Sequence, residues 1–390
     1  MKTIETRHVV LYEFLPPSDG GIAQMAWGMT REFERRGLPA ALCGFADLLK
    51  HPMYRDVTYD LWPLPRPGWK HLKDVYCCLL GFRLFARYGR SVILYSLTWK
   101  SGRAFSWMSK MFGWKYVLFA IGNEVTRQLG KSKERRMRRV FHRADAVIAL
   151  SSYIADRIKP FGLSSFITIN PAVDMEKFVV MDKAACKARF GWEGKTIVLT
   201  AARVVARKGQ DTVIRALPRI VGQLPKLRYV IAGTGEKDEV QRLSDLARSL
   251  GVEQHVEFTG FFREEDRTAL YNAADVYVMI SRYEKGEQDV EGFGITFLEA
   301  GACGVPVIGG RSGGIPDAIQ DGFSGFLVDP GDHEGIADRL KTLLVDDEIR
   351  KRLGIQARCR VQEQFTWEKY VDRMAAFLNE RGVPAVYKQL

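Results

Sequence analysis

Two cations and two carboxylates in the second half of the chain have the types and spacing to handle a phosphorylated ligand. Arg203 and Lys208 lie five residues apart in Arg203-Val-Val-Ala-Arg-Lys208-Gly209, on a loop expected between a strand and a helix. Two such cations can clamp two linked phosphates, Arg bidentately and Lys as a point charge. Read alone, the loop is more simply a solvated basic turn. The segment Glu291-Gly292-Phe293-Gly294-Ile295-Thr296-Phe297-Leu298-Glu299 sets two glycines just ahead of a predicted helix. Backbone N–H groups exposed there attract phosphate, helped by the helix dipole. Glu299 falls about 1.5 turns into that helix, where it could accept hydrogen bonds from ribose hydroxyls. Glu291 precedes the turn and should face the mouth of the crevice. A helix cap would explain one such glutamate, but neither the glycine pair nor the second carboxylate.

Other glycine-rich turns fall at equivalent places. Gly310-Arg-Ser-Gly313-Gly314-Ile315-Pro316-Asp317 follows a strand, and so does Pro16-Pro17-Ser18-Asp19-Gly20-Gly21-Ile22 in the first half. Small residues there let a ligand approach the backbone closely. Two resemblances to phosphate motifs fail. Gly191-Trp-Glu-Gly194-Lys195-Thr196 has two residues between its glycines where a P-loop needs four, and it precedes a strand. Gly233-Thr-Gly235 opens like a dinucleotide fingerprint, but the third glycine position is Asp238. Those two glycines read as a tight turn near the crevice.

The elements that must carry these loops alternate. Strands are predicted at His8–Phe14, Ala40–Gly44, Val92–Tyr95, Tyr116–Ala120, Ala146–Leu150 and Phe166–Ile169. A second series runs Thr196–Ala201, Tyr229–Ala232, Val256–Thr259, Val276–Ile280, Val305–Gly309 and Gly325–Val328. Their Val, Ile, Leu, Phe and Tyr runs suit strands buried on both faces. Amphipathic helical segments separate them, among them Ile22–Arg36, Leu72–Ala86, Glu236–Leu250 and Phe297–Cys303, and a helical tail runs from Glu334 to about Glu380. Two such β-α series imply an α/β fold of two doubly wound, Rossmann-like domains, joined near Asn170–Lys183. The predicted domains are 1–172, with a C-terminal helix at about 368–390 crossing back onto it, and 173–367. Ligand is expected in the crevice beyond the strands' carboxyl ends.

Taken together, these segments resemble retaining glycosyltransferases of the GT-B fold, family 4. The Arg203-x4-Lys208-Gly209 loop and Glu291-x7-Glu299 carry the resemblance. So do Asp289-Val-Glu-Gly-Phe-Gly294, Cys303-Gly-Val-Pro-Val307 and Ser312-Gly-Gly-Ile-Pro316. The similarity is greatest to the branch holding phosphatidylinositol-mannoside mannosyltransferases and bacterial polysaccharide and lipid glycosyltransferases. It implies two domains facing an interdomain cleft that takes a nucleotide-diphosphate sugar, GDP- or UDP-linked. Arg203 and Lys208 would hold the diphosphate, Glu299 the ribose, and Glu291 would face the transferred sugar. Gly21 would lie near the donor phosphates, with Gly233, Gly292, Phe293, Gly294 and Ile295 also lining the donor site. No cofactor and no metal are implied; the sequence has no Asp-x-Asp pair and no His cluster. Where the family usually has His-Gly-x-Glu, this chain reads Ile121-Gly122-Asn123-Glu124. Either Asn123 or Glu124 would then take over contact with the sugar, or activity would be reduced or lost.

Charge points to the acceptor. The chain carries +12, but residues 1–170 hold 27 basic and 13 acidic side chains against 31 and 33 in the remainder. The excess therefore belongs to the first half and concentrates between Arg66 and Arg143. Five of the eight tryptophans, Trp62, Trp69, Trp99, Trp107 and Trp114, fall in or beside that stretch. Cations interleaved with aromatics suit an anionic membrane surface, with Lys131-Ser-Lys-Glu-Arg-Arg-Met-Arg-Arg139 as a headgroup patch. Core tryptophans beneath a solvated basic face are an equal alternative. No nucleic-acid recognition module is present. Six scattered cysteines without a Cys-x-x-Cys pair suggest a reducing compartment. The N-terminus lacks an apolar core for a signal peptide. The expectation is a cytoplasmic enzyme, peripheral at the inner face of the cell membrane, acting on a lipid or lipid-linked saccharide. The alternatives are a soluble acceptor, or a pseudo-glycosyltransferase that binds nucleotide sugar without transfer. A sugar-nucleotide epimerase of the same fold is disfavoured by Glu291-x7-Glu299.

Overall fold

The computed structural model describes residues 6–17, 20–66, 72–283 and 289–383. Ser18, Asp19, Trp69 and the last seven residues of the predicted C-terminal helix lie outside the described residues. The chain divides into two compact units, Met1–Ala172 with Trp367–Leu390, and Val173–Thr366.

The first unit is built on β1 (Arg7–Leu11), β2 (Ala40–Phe45), β3 (Asp60–Leu64), β4 (Val92–Ser96), β5 (Lys115–Ala120), β6 (Ala146–Ala149) and β7 (Phe166–Thr168). They form one sheet in the order β3-β2-β1-β4-β5-β6-β7. Every pair is parallel, with His8 opposite Ala40 on one side and Ile93 on the other. The second unit holds β8 (Thr196–Ala201), β9 (Leu227–Ala232), β10 (Val256–Gly260), β11 (Val276–Met279), β12 (Val307–Gly310) and β13 (Gly325–Val328). Their order is β10-β9-β8-β11-β12-β13, again all parallel. Helices on both faces cover the central strands, so Val9, Val10, Leu11, Ile197, Val198 and Leu199 are fully buried. In each sheet the chain reverses its winding once, between β1 and β4 and between β8 and β11. At such a reversal the loops leaving the two strands run to opposite sides, which is where open α/β sheets as a class take their ligands.

Two elements depart from the sequence reading. β3, Asp60-Leu-Trp-Pro-Leu64, is not among the strands predicted from sequence. It is an edge strand, the one place where a proline such as Pro63 costs no ladder hydrogen bond. Directly after the joining region stands a helix the sequence reading did not place, Lys183–Arg189, which Asp182 caps by accepting from Ala185 N–H at 2.7 Å.

The helix Trp367–Glu380 belongs to the first unit and packs on the helix Gly21–Arg35. Gly28 makes room for it: a Cβ there would stand 2.1 Å from Cε2 of Trp367. Arg36 adds bonds to the Asp372 carboxylate at 2.6 Å and the Glu368 carbonyl at 2.8 Å.

The first unit's tryptophans are mostly core. Trp99 and Trp114 are buried and donate to the carbonyls of Glu124 and Gly89, each at 2.8 Å. Trp62 is half-buried and donates to the Tyr88 hydroxyl. Trp107 alone among the described residues of this group is exposed. The apolar surface lies elsewhere. Helix Leu72–Tyr88 buries Cys77, Leu80, Gly81 and Leu84 but leaves Leu72, Val75, Leu79 and Phe82 exposed. Their spacing of three, four and three residues makes a second stripe along the helix. Helix Phe105–Phe112 packs beside it and adds exposed Trp107 and Met111.

Candidate active site

The second unit gathers its sequence-predicted residues at the reversal between β8 and β11. After β8 the chain enters a single 3-10 turn, Ala206–Lys208, stopped by Gly209 with φ 71°. A Cβ on Gly209 would lie 2.0 Å from the Ile280 carbonyl, so the loops after β8 and β11 are in backbone contact here. Arg282 N–H donates to the Arg207 carbonyl at 2.9 Å. The Arg282 guanidinium reaches Asp211 at 2.7 Å and Thr212 at 3.0 Å.

Pinned this way, the loop directs two cations at one carboxylate. Lys208 Nζ lies 2.6 Å, and an Arg207 guanidinium nitrogen 3.0 Å, from the same Oε2 of Glu291. Glu291 retains 17% side-chain exposure, and Arg207 and Lys208 each 11%. Burial pushes the Glu291 carboxyl up, but Lys208 and Arg207 outweigh it and hold the group at about 2. Burial also pulls the Lys208 ammonium below its ordinary value, against the opposing pull of Glu291. The site thus holds a fixed anion and two cations with restricted access to water.

The turn after β12 supports Glu291 from behind. Gly314 N–H donates to the Glu291 carbonyl at 3.0 Å, and a Cβ on Gly313 would stand 2.3 Å from that oxygen. Beyond Glu291, Phe293 is buried and Gly294, at φ 97°, precedes the helix Ile295–Ala302. Glu299 is buried inside that helix, accepting from the Tyr271 hydroxyl at 2.5 Å and pairing with Arg267 at 3.5 Å. Lys208 and Glu291 therefore meet, while Glu299 has its own partners. Arg203 is exposed, with its carbonyl bonded to Gln210 at 3.0 Å. Gly233 and Gly235 have a packing reason for being glycine. Their Cβ atoms would lie 2.0 and 2.5 Å from the carbonyls of Ala202 and Val204, where the loops after β9 and β8 run side by side.

In the first unit, Gly21 is exposed and starts the helix Gly21–Arg35. Ile121 is buried at the end of β5. Glu124 closes the turn that follows: its two oxygens accept from Ile121 N–H at 2.8 Å and Gly122 N–H at 2.9 Å. Burial raises its carboxyl above the usual range even with those amides beside it. This carboxylate is therefore occupied by its own backbone. Asn123, half-buried at the start of the short helix Asn123–Thr126, is the other residue proposed to replace the family histidine.

Two family descriptions match the chain: "Glycosyl transferase 4-like domain" over residues 20–166 and "Glycosyl transferases group 1" over residues 182–360. A GDP-mannose-dependent alpha-(1-6)-phosphatidylinositol monomannoside mannosyltransferase of Mycolicibacterium smegmatis is 35% identical over 264 residues, which cover 67% of this chain and 69% of that protein. This chain is a family 4 glycosyltransferase. Its fold is GT-B. Sucrose-phosphate synthase from Thermosynechococcus elongatus superposes with a TM-score of 0.80 at 21% identity, covering 96% of this chain and 99% of that one. The Anabaena protein HepE, solved with UDP and glucose, gives 0.79 at 20% identity, covering 96% and 100%.

In this glycosyltransferase the residue that sequence reasoning missed is Arg207. It lies in the same loop, next to Lys208, outside the Arg203–Lys208 spacing that marks a diphosphate clamp. A single 3-10 turn can aim two consecutive side chains at one acceptor, and nothing in the linear pattern marks that. Among the described residues no three His, Cys, Asp or Glu side chains group together as a set of metal ligands would.

Proposed function

We propose that this glycosyltransferase moves a mannosyl group from GDP-mannose to a phosphatidylinositol-mannoside or similar lipid acceptor, with retention at the anomeric carbon. The observation that carries the reading is the Arg207–Glu291–Lys208 cluster at the β8/β11 reversal, where a sugar diphosphate would bind. As the C1–O bond to phosphate breaks, negative charge grows on the leaving diphosphate and positive charge on the sugar carbon. Lys208, Arg203 and the N–H groups around Gly292–Ile295 would stabilise the first; each such group typically contributes a few kcal/mol. Glu291, held ionised, would orient the sugar and stabilise the second. The acceptor oxygen bonds to C1 on the face the phosphate leaves, and its proton passes to the leaving phosphate. GDP-mannose is favoured over other donors by the name of the mannosyltransferase relative.

The first unit supports a peripheral position on an anionic bilayer. The stripe of Leu72, Val75, Leu79 and Phe82, with Trp107 and Met111 beside it, is larger than the scattered apolar residues of an ordinary surface. Exposed Arg83, Arg87, Lys110, Arg136 and Arg139 lie on the same or neighbouring helices, and the Arg143 guanidinium sits 3.7 Å over the Trp107 ring. Apolar insertion and cation attraction act together at such an interface, each cation contributing about 1 kcal/mol. No helix among the described residues is long and apolar enough to cross a membrane.

A thermal-shift panel with GDP, UDP, ADP and their sugars tests the donor. GDP and GDP-mannose should raise the melting temperature most, and an equal or larger response to UDP or ADP sugars would reject GDP-mannose. Flotation with anionic vesicles tests the membrane reading. The wild type should float at low salt and Leu79→Glu/Phe82→Glu should not; equal recovery of both would reject this face.

A further inference from the structure

Arg207 and Lys208 are neighbours in the chain and share one acceptor atom, but they are held differently. The Arg207 peptide is clamped from the β11 side by Arg282 N–H. Lys208 bonds Glu291 at 2.6 Å and otherwise rests against the Met279 sulfur at 3.3 Å. An ammonium on a flexible stem is a point charge that can turn to a new anion. A guanidinium is a rigid fork with less freedom to follow.

We infer that Arg207 is a positioning residue: it keeps the Glu291 carboxylate in place and ionised when Lys208 turns from that carboxylate to a donor phosphate. The inference rests on the donor-site reading above and adds a division of labour within it. A diphosphate at this edge competes with Glu291 for Lys208. If Lys208 leaves, Oε2 loses the shorter of its two charged contacts. A carboxylate with 17% exposure and no donor would protonate or move, since burying an unpaired charge is expensive. Arg207 is the remaining charged donor on that oxygen among the described residues, and its guanidinium cannot deprotonate. The low carboxyl value of Glu291 fits this two-donor arrangement. Among the described residues, the other groups around it do not supply a substitute. Arg203 acts on Lys208 from the same loop, Tyr277 on β11 is a neutral phenol raised by burial, and the β12 turn meets Glu291 through the Gly314 N–H while its Arg311 pairs with Asp321 at 2.7 Å.

The test compares Arg207→Ala, Arg207→Lys and Lys208→Ala in the full chain. It measures GDP affinity by calorimetry, kcat and KM with GDP-mannose and lipid acceptor, and the pH dependence of kcat. Lys208→Ala should weaken GDP binding by about 30-fold, the size expected for losing one charged contact. Arg207→Ala should leave GDP affinity within about threefold, lower kcat by about 100-fold and move the acid limb of kcat upward by about one pH unit. Arg207→Lys should restore only part of kcat, because an ammonium there can turn to the phosphate as Lys208 does; full rescue would show that the fork is not what holds Glu291. Arg207→Gln serves in place of alanine if alanine prevents folding. A loss of GDP affinity in Arg207→Ala equal to that in Lys208→Ala would make Arg207 a phosphate ligand and overturn the inference. Unchanged kcat with an unmoved acid limb would overturn it too. If Lys208→Ala leaves GDP affinity intact, the donor-site reading itself falls.

Discussion

Replacing Glu291 by glutamine removes one charge from between two buried cations and keeps an oxygen in place to accept their hydrogen bonds. The structure sets the size of the effect. A carboxyl held at about 2 instead of its ordinary 4.5 corresponds to roughly 3 kcal/mol of folding free energy. Because the folded value is the lower one, this contribution is complete above 4.5. It falls as pH drops and is gone once the folded group itself protonates near 2. At pH 4 roughly a quarter of it is already lost. For a unit the size of Val173–Thr366, roughly 3 kcal/mol is a difference of about 6–12 °C in melting temperature. Melting curves of wild type and Glu291→Gln between pH 7 and pH 4 read it directly. The gap should be constant from pH 7 to about 5.5 and narrow measurably by pH 4. No gap at pH 7, or a gap unchanged at pH 4, would show that the cations do not hold the carboxylate as described.

Three further outcomes follow from the packing. Gly28→Ala drives a Cβ into the Trp367 indole and should cost about 1–3 kcal/mol; calorimetry checks it, and an unchanged melting temperature would mean the C-terminal helix is not seated there. Gly209→Ala puts a side chain at φ 71° against the Ile280 carbonyl. It should lower the melting temperature and displace Lys208, seen as weaker GDP binding; normal binding would refute the backbone clamp. Glu124→Ala removes the acceptor of two backbone amides. It should destabilise the protein by about 1–2 kcal/mol, whereas full stability with lost turnover would mark Glu124 as a sugar contact instead.

Much of the architecture was legible because both sheets are parallel and doubly covered. Strands such as Thr196–Ala201 and Gly325–Val328 stand out as short apolar runs bounded by turns, and both appear where the sequence places them. β3 was hidden because an edge strand needs neither a continuous apolar run nor every ladder donor, and Pro63 argued against it. The helix Lys183–Arg189 was hidden because it buries only Cys186, leaving no periodic signal. The two apolar stripes of Leu72–Tyr88 both fit helical spacing, and sequence cannot tell which faces the core. The tryptophans that suggested an interface mostly serve the core, and the exposed apolar face comes from Leu72, Val75, Leu79, Phe82 and Met111 with Trp107 alone among them. At the site, the motif spacing anticipated Lys208 and Glu291 on facing loops. It did not show that both bonds to Oε2 come from adjacent residues, or that Glu124 spends its carboxylate on its own turn.

The central claim is that this chain transfers a mannosyl group with retention from GDP-mannose to a lipid acceptor. Its most direct test incubates the purified full chain with GDP-mannose radiolabelled in the sugar and anionic vesicles carrying phosphatidylinositol monomannoside. The extracted lipid is then treated with α- or β-mannosidase. Label should enter the lipid and be released by the α-specific enzyme, with transfer abolished in Glu291→Gln. Lipid that stays unlabelled, or label released only by the β-specific enzyme, would contradict the account.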